Sequence, residues 1–207
     1  MNKTRMLFLL ALLSAFPPLS TDMYLPAIPL LVKLWQQPLA IVNLTLVGFF
    51  VSYCVFLLFY GPLSDSVGRK PAMHAGFAIL MLGSLISLFA TDFTTMLVGR
   101  FMQGFGAAGP HAVAMALIRD RFHGSEMARI MSFVMIVFAL VPALAPSMGA
   151  AIIALSDWRG IFVTFMAFAA IVEENDIRQG LTPWERGRTL TCAREMGTGT
   201  LDEAIAR

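Results

Sequence analysis

The chain has 207 residues, of which 57% are hydrophobic and only 14% are charged, with a formal net charge of +2. Because a soluble domain carries about 25% charged residues, this composition argues against a soluble domain, a disordered chain and a nucleic-acid-binding protein. The two cysteines, Cys54 and Cys192, are far apart in the sequence, which argues against a disulfide framework and a cysteine metal site and leaves an integral membrane protein.

Apolar segments follow one another along the first 172 residues. A helix needs about 20 apolar residues to cross ~30 Å of hydrocarbon. Five segments are long enough: 6–32, 39–60, 72–90, 93–118 and 130–155. The first is expected to bend at Pro17–Pro18. A sixth segment, 160–172, has 13 residues and covers only about 20 Å. The pattern predicts an all-α, polytopic protein with a shortened sixth helix.

Lysine and arginine are unevenly shared between the loops. With a cytoplasmic N-terminus, seven of them lie on the inner side and two, Lys33 and Arg159, lie on the outer side. Because positive residues favour cytoplasmic loops, we expect both termini to be cytoplasmic and the chain to lie in a bacterial inner membrane. The inner residues are Lys3, Arg5, Arg69, Lys70, Arg119, Arg121 and Arg129.

Two charged residues, Asp22 and Arg100, lie well inside the predicted spans. Intramembrane charges are costly and are functional candidates by default. The helical rise places both in the outer half of the membrane, so we expect them to pair. Gln103 shares a helical face with Arg100, which predicts a polar interior cavity. The alternative is a structural ion pair that only joins two helices.

The three histidines are weaker candidates. His74 and His111 lie near the predicted cytoplasmic ends of helices, and His123 lies in a loop. Polar side chains settle at membrane interfaces at little cost. We therefore expect these residues to be interfacial rather than functional.

The turn between the second and third spans has an ordered pattern. Residues 61–71 read GPLSDSVGRKP, which resembles the G-x-x-x-D-[RK]-x-G-R-[RK] signature of the major facilitator superfamily. The resemblance implies a gating loop made by Gly61, Asp65, Gly68, Arg69 and Lys70. At the position after Asp65, where the family has a basic residue, this chain has serine.

Three further strings carry the resemblance. Residues 100–108, RFMQGFGAA, resemble the fourth-helix motif, whose arginine is implicated in proton coupling. Residues 145–150, APSMGA, are similar to the antiporter motif with both flanking glycines replaced by alanine. Residues 20–29, STDMYLPAIP, resemble the first helix of the bicyclomycin/chloramphenicol-resistance branch (Bcr/CflA).

The resemblance implies the six-helix N-terminal half of a drug:proton antiporter. The sequence shows no nucleophile–base set and no metal-ligand spacing, so we expect no enzyme activity and no cofactor. Asp22 would take the proton or meet a cationic group of the drug, Arg100 would tune the pKa of Asp22, and Gln103 would line the cavity. A second group of residues would bend the fifth span and allow close packing, although simple bending explains them equally well. This group is Pro142, Pro146 and Gly149.

The last 35 residues, 173–207, carry 12 of the 28 charged residues and have no apolar run of membrane length. We expect a domain at 1–172 and a polar cytoplasmic tail at 173–207. The tail suggests a frameshift or truncation, and a native disordered tail is the alternative. The expected partners are small-molecule drugs, protons and lipid. The alternatives to an efflux transporter are an inactive fragment and a half that works only as a homodimer or with a separate second half.

Overall fold

A computed structural model describes residues 3–179 and the side chains of residues 7–175. This part of the chain is built from α-helices and one 3₁₀ turn, Leu25–Ala27, and contains no strand. The predicted all-α membrane fold is confirmed. The helices are α1 Lys3–Asp22, α2 Ile28–Trp35, α3 Leu39–Ser66, α4 Arg69–Leu88, α5 Phe93–Arg121, α6 Gly124–Leu155 and α7 Arg159–Gln179.

The first span is broken after Asp22. Helix α1 continues through Pro17 and Pro18 and ends at Asp22, and the bend at the two prolines stays a prediction. The Thr21 hydroxyl donates to the carbonyl of Pro17 at 2.7 Å. Pro26 has no N–H to donate to the carbonyl four residues earlier, that of Asp22, and the Tyr24 amide instead donates to the Thr21 carbonyl at 3.2 Å.

Four segments are long and apolar enough to cross a membrane by length and composition: Leu7–Trp35, Leu39–Ser66, Arg69–Leu88 and Gly124–Leu155. Helix α5, predicted as a span, has 29 residues but is not among these four. It carries a buried arginine, a buried glutamine and several buried glycines, which lower its mean hydropathy. Because α5 packs between α3 and α4, protein rather than lipid surrounds much of its surface.

Arg159, the first residue of α7, joins that helix to the C-terminal end of α4. Its Nε donates to the Leu88 carbonyl at 3.1 Å and its Nη2 donates to the Ala90 carbonyl at 3.2 Å. The guanidinium therefore caps the end of α4, where carbonyls lack helical partners. Helix α7 has 21 residues and continues past the predicted apolar boundary at Val172, since backbone helicity does not require apolar side chains.

The chain divides into two compact units, Met1–Glu173 and Glu174–Arg207. The fold described above belongs to the first unit, apart from the end of α7 after Glu173. Residues 180–207 lie outside the described residues. The polar tail and the location of the C-terminus therefore stay predictions.

Asp92 caps the first turn of α5, and the stability that this cap contributes is expected to depend on pH. Its carboxylate accepts from the Thr94 amide at 3.1 Å, the Thr95 amide at 3.3 Å and the Thr95 hydroxyl. The Thr95 hydroxyl bond above all holds the pKa of Asp92 below its ordinary value. A carboxylate with a lowered folded-state pKa stabilises the protein above its unfolded pKa of about 3.9, and this contribution is lost as pH falls through the folded-state pKa.

We expect Asp92→Ala to lower the melting temperature at about pH 6 and to lower it less at about pH 3. Circular dichroism melts of both proteins in detergent, at both pH values, measure this difference. If the melting temperatures of the wild type and the variant differed by the same amount at both pH values, the capping interpretation would be contradicted.

Candidate functional site

Arg100 lies at the centre of the described bundle, with 1% of its surface exposed. Its Nη1 donates to the Ser20 carbonyl and to the Ser20 hydroxyl, each at 3.2 Å. The same nitrogen donates to Gln103 Oε1 at 2.7 Å. The guanidinium carbon lies 4.6 Å from the Tyr24 ring centre and 4.7 Å from that of Phe49. The positive charge is thus held by oxygen dipoles and two aromatic faces.

The predicted Asp22–Arg100 ion pair is not formed. Asp22 is half-buried at the end of α1, and the acceptors of Arg100 belong to Ser20 and Gln103. Two residues along a helix are rotated by about 200°, so when Ser20 faces α5, Asp22 faces away. In addition, the Ser20 carbonyl lies in the last turn of α1, at the negative end of the helix dipole, which favours a nearby cation.

Gln103 joins α5 to α4. Its Nε2 donates to the Ser84 hydroxyl at 2.7 Å, and that hydroxyl donates to the Leu80 carbonyl at 2.8 Å. Gln103 and Arg100 border one crevice, but the space there is too small for a water molecule. The predicted polar cavity is therefore closed in this structure, and the polar groups form a dry network.

Two donor nitrogens of Arg100, Nε and Nη2, are buried and have no hydrogen-bond partner. An unpaired buried donor on a charged group costs more than about 1–3 kcal/mol. The network is thus incomplete as it stands, and a carboxylate or carbonyl that approached Arg100 would find two free donors.

A second cluster lies at the turn between α3 and α4. Arg69 contacts the Asp120 carboxylate through Nε at 3.1 Å and Nη2 at 3.0 Å, and its Nη1 contacts Asp65 at 2.6 Å. Nη1 also donates to the Ser64 hydroxyl. Arg69 thus joins α3, α4 and α5. No sequence pattern predicts that Asp120 belongs to this cluster, because it lies 51 residues from Arg69.

The other residues of the predicted gating loop differ in their roles. Gly68 has a φ of 108°, which favours glycine, and it precedes α4. Gly61 lies inside α3, with nothing within 4 Å of an added Cβ, so it makes no tight turn. Lys70 is half-buried and is not one of the hydrogen-bond or ion-pair partners of Arg69.

The three residues predicted to bend and pack the fifth span, which is helix α6, also differ in their roles. Helix α6 is continuous through Pro142 and Pro146. At Gly149, an added Cβ would overlap the Met23 carbonyl, at the break in the first span. Helix α6 therefore packs closely at Gly149 although alanine replaces both flanking glycines of the antiporter motif. Ala145, one of these alanines, is fully buried.

Two of the three histidines contact other helices, and their placement at the membrane interface stays a prediction. His74 Nδ1 lies 3.1 Å from Glu173 Oε1, which joins α4 to α7. His111 lies on α5 against the rings of Tyr53 and Phe138, each 6.1 Å away between ring centres. Among the described residues there is no cluster of three or more His, Cys, Asp or Glu side chains that would hold a metal ion.

Comparison with known proteins gives matches along most of the chain. A family model described as Major Facilitator Superfamily matches residues 8–172. The bicyclomycin resistance protein homolog of Haemophilus influenzae is 36% identical over 169 residues, which cover 78% of this chain and 41% of the relative. The uncharacterized MFS-type transporter YdgK of Bacillus subtilis is 34% identical over 161 residues, covering 77% of this chain and 40% of the relative.

A third relative, the multidrug resistance protein MdtL of Salmonella schwarzengrund, is 33% identical over 155 residues. The match covers 75% of this chain and 39% of MdtL. The chain therefore spans about 40% of the length of the curated relatives that it matches.

Proposed function

Because this chain belongs to the major facilitator superfamily, we propose that it is one half of a transporter that exports small, mostly apolar drugs in exchange for protons. The observation that carries the proposal is Arg100, which is buried in a membrane bundle with two unpaired donors. Such intramembrane charges mark substrate or proton pathways. Transporters of two similar halves alternate access by rocking them about a central site.

In this proposal Asp22 is the proton carrier. It is half-buried and lies two residues from Ser20, whose carbonyl binds Arg100. When Asp22 is deprotonated, attraction between its carboxylate and the free donors of Arg100 favours a rearranged last turn of α1 in which Asp22, rather than Ser20, faces α5. When Asp22 is protonated, that attraction is lost, and the Ser20 contact is favoured.

The Arg69 cluster is the proposed gating contact. Asp65 is 62% exposed at its side chain, so it is accessible to a second half, whereas Arg69 is 12% exposed and holds the cluster together. We place this turn and both termini on the cytoplasmic side of a bacterial inner membrane, as the loop charges favour.

A second half is required in this proposal. Only four residues of the 32-residue helix α6 are buried, and several of its other large apolar side chains are open to lipid or to a partner half. The alternatives are an inactive fragment and a homodimer, and the experiment below separates them.

The test is ethidium efflux from energised bacterial cells. We expect residues 1–207 alone to give no efflux above the vector control. We expect co-expression with the C-terminal half of the Haemophilus influenzae relative to give efflux that a protonophore abolishes. Asp22→Asn removes the titratable proton site and is expected to abolish that efflux, whereas the matched Asp157→Asn change, at an exposed turn, leaves it intact.

Two outcomes would contradict the proposal. Efflux by residues 1–207 alone that is lost in Asp22→Asn would show a homodimer. No efflux by the co-expressed halves, with both present in the membrane, would support an inactive fragment.

A further inference from the structure

Ser84 on α4 is fully buried, and its hydroxyl contacts both its own helix and α5. A serine hydroxyl has one proton and two lone pairs. The proton is donated to the Leu80 carbonyl, one turn earlier in α4, at 2.8 Å. The oxygen is therefore left as an acceptor, and Gln103 Nε2 on α5 donates to it at 2.7 Å. The hydroxyl thus gives the nitrogen end of the Gln103 amide a fixed acceptor.

The Gln103 amide extends this contact to Arg100. With Nε2 on Ser84, the amide presents Oε1 to Arg100 Nη1 at 2.7 Å. Among the described residues, the Ser84 hydroxyl is the one hydrogen-bond acceptor of Nε2. Removing this hydroxyl would leave a buried donor unpaired, which is costly. The amide would then rotate toward another acceptor, and the bond from Nη1 to Oε1 would weaken.

Helices α4 and α5 pack backbone to backbone beside this chain of hydrogen bonds. A Cβ added at Gly83 on α4 would lie 2.6 Å from the Gln103 amide nitrogen, which is closer than a Cβ can approach a backbone atom. The space bordered by Arg100 and Gln103 is too small for a water molecule, so water there cannot replace the Ser84 hydroxyl. The two helices therefore form a fixed frame on one side of the guanidinium, opposite the last turn of α1.

We propose that Ser84 is a positioning residue, which acts through Gln103 to hold the guanidinium of Arg100 in place. The guanidinium then keeps its orientation while the last turn of α1 exchanges Ser20 for Asp22. The inference rests on the proposed function, because it takes that exchange as the proton-coupled step. Nη1 bonds both Ser20 and Gln103, and the second bond persists when the first breaks. Nε and Nη2 thus stay available to a carboxylate.

The experiment uses the full 207-residue chain in lipid nanodiscs, labelled with ¹⁵N at arginine. Spectra are recorded at a temperature low enough to slow rotation about the Cζ–Nη bonds, and the signals absent from Arg100→Met are those of Arg100. The Nη1 signal reports the hydrogen bonds that this nitrogen donates. We expect it to move upfield in Ser84→Ala, because the acceptor on Gln103 is no longer held.

The matched control is Ser14→Ala. Ser14 is also fully buried, and its hydroxyl donates to the carbonyl one turn earlier, that of Leu10, at 2.9 Å. In the described part of the chain, no hydrogen bond joins this hydroxyl to another side chain. We expect Ser14→Ala to leave the Arg100 signals in place. An unchanged Nη1 signal in Ser84→Ala, or an equal shift in Ser14→Ala, would overturn the proposal.

A second measurement does not depend on the arginine signals. Titration with sodium dodecyl sulfate is expected to unfold Ser84→Ala at a lower detergent fraction than the wild type. In a Gln103→Met background, where no amide nitrogen needs the hydroxyl, the same substitution is expected to leave the midpoint nearly unchanged. Equal lowering of the midpoint in both backgrounds would show that Ser84 acts independently of Gln103 and would refute the proposal.

Both measurements are made on the chain itself, so they are independent of the efflux test. A shifted Nη1 signal without efflux from the co-expressed halves would contradict the proposed function and leave the positioning role of Ser84 standing. Efflux without the shift would contradict this inference alone.

Discussion

Replacing Gly104 with alanine is expected to destabilise the bundle by at least about 1–3 kcal/mol, the usual cost of overpacking. A Cβ at Gly104 would overlap the backbone carbonyl of Phe49 on α3. A helical backbone cannot rotate aside as a flexible side chain can, so α3 and α5 would have to separate. Their separation would also weaken the ring contact of Phe49 with Arg100, now at 4.7 Å.

The matched control is Gly61→Ala. Gly61 also lies inside α3, and nothing lies within 4 Å of an added Cβ. Alanine is favoured over glycine in helices by about 1 kcal/mol, so this variant is expected to be as stable as the wild type or slightly more stable. Titration with sodium dodecyl sulfate, followed by tryptophan fluorescence, measures the free energy of unfolding. Equal destabilisation by both substitutions would show that the close approach at Gly104 is not what holds α3 to α5.

Arg100→Lys is expected to destabilise the chain by about 3–5 kcal/mol, the range for an uncompensated buried charge, and by more than Arg100→Met. The lysine ammonium is compact and strongly hydrated, so it loses more solvation on burial than a guanidinium. It also lacks the planar group that stacks on Tyr24 and Phe49. Methionine fills similar volume without charge, although it leaves the Ser20 carbonyl unpaired.

The same denaturation assay ranks the two variants against the wild type. The expected order of stability is wild type, then Arg100→Met, then Arg100→Lys. A lysine variant more stable than the methionine variant would show that the charge itself, rather than the guanidinium shape, is stabilised at this site. That result would favour an unseen anionic partner for Arg100.

Several properties of this protein follow from its sequence by itself. Apolar segments near 20 residues long predict membrane helices, because lipid imposes the same length requirement on every span. The ordered string at 61–71 predicts the family, and the family model matches residues 8–172. Arg100 was predicted to be an intramembrane charge, and the structure buries it.

The partners of those charges were decided only by the tertiary structure. Hydropathy locates a residue along a helix but not the rotation of that helix about its axis, and this rotation brings Ser20 rather than Asp22 to Arg100. Sequence spacing likewise gave no sign that Asp120 contacts Arg69 across 51 residues. Small residues of α5 let α3 and α4 approach closely, and this close packing sets the helix rotations. Local patterns therefore determine the helices, and their packing determines which polar groups meet.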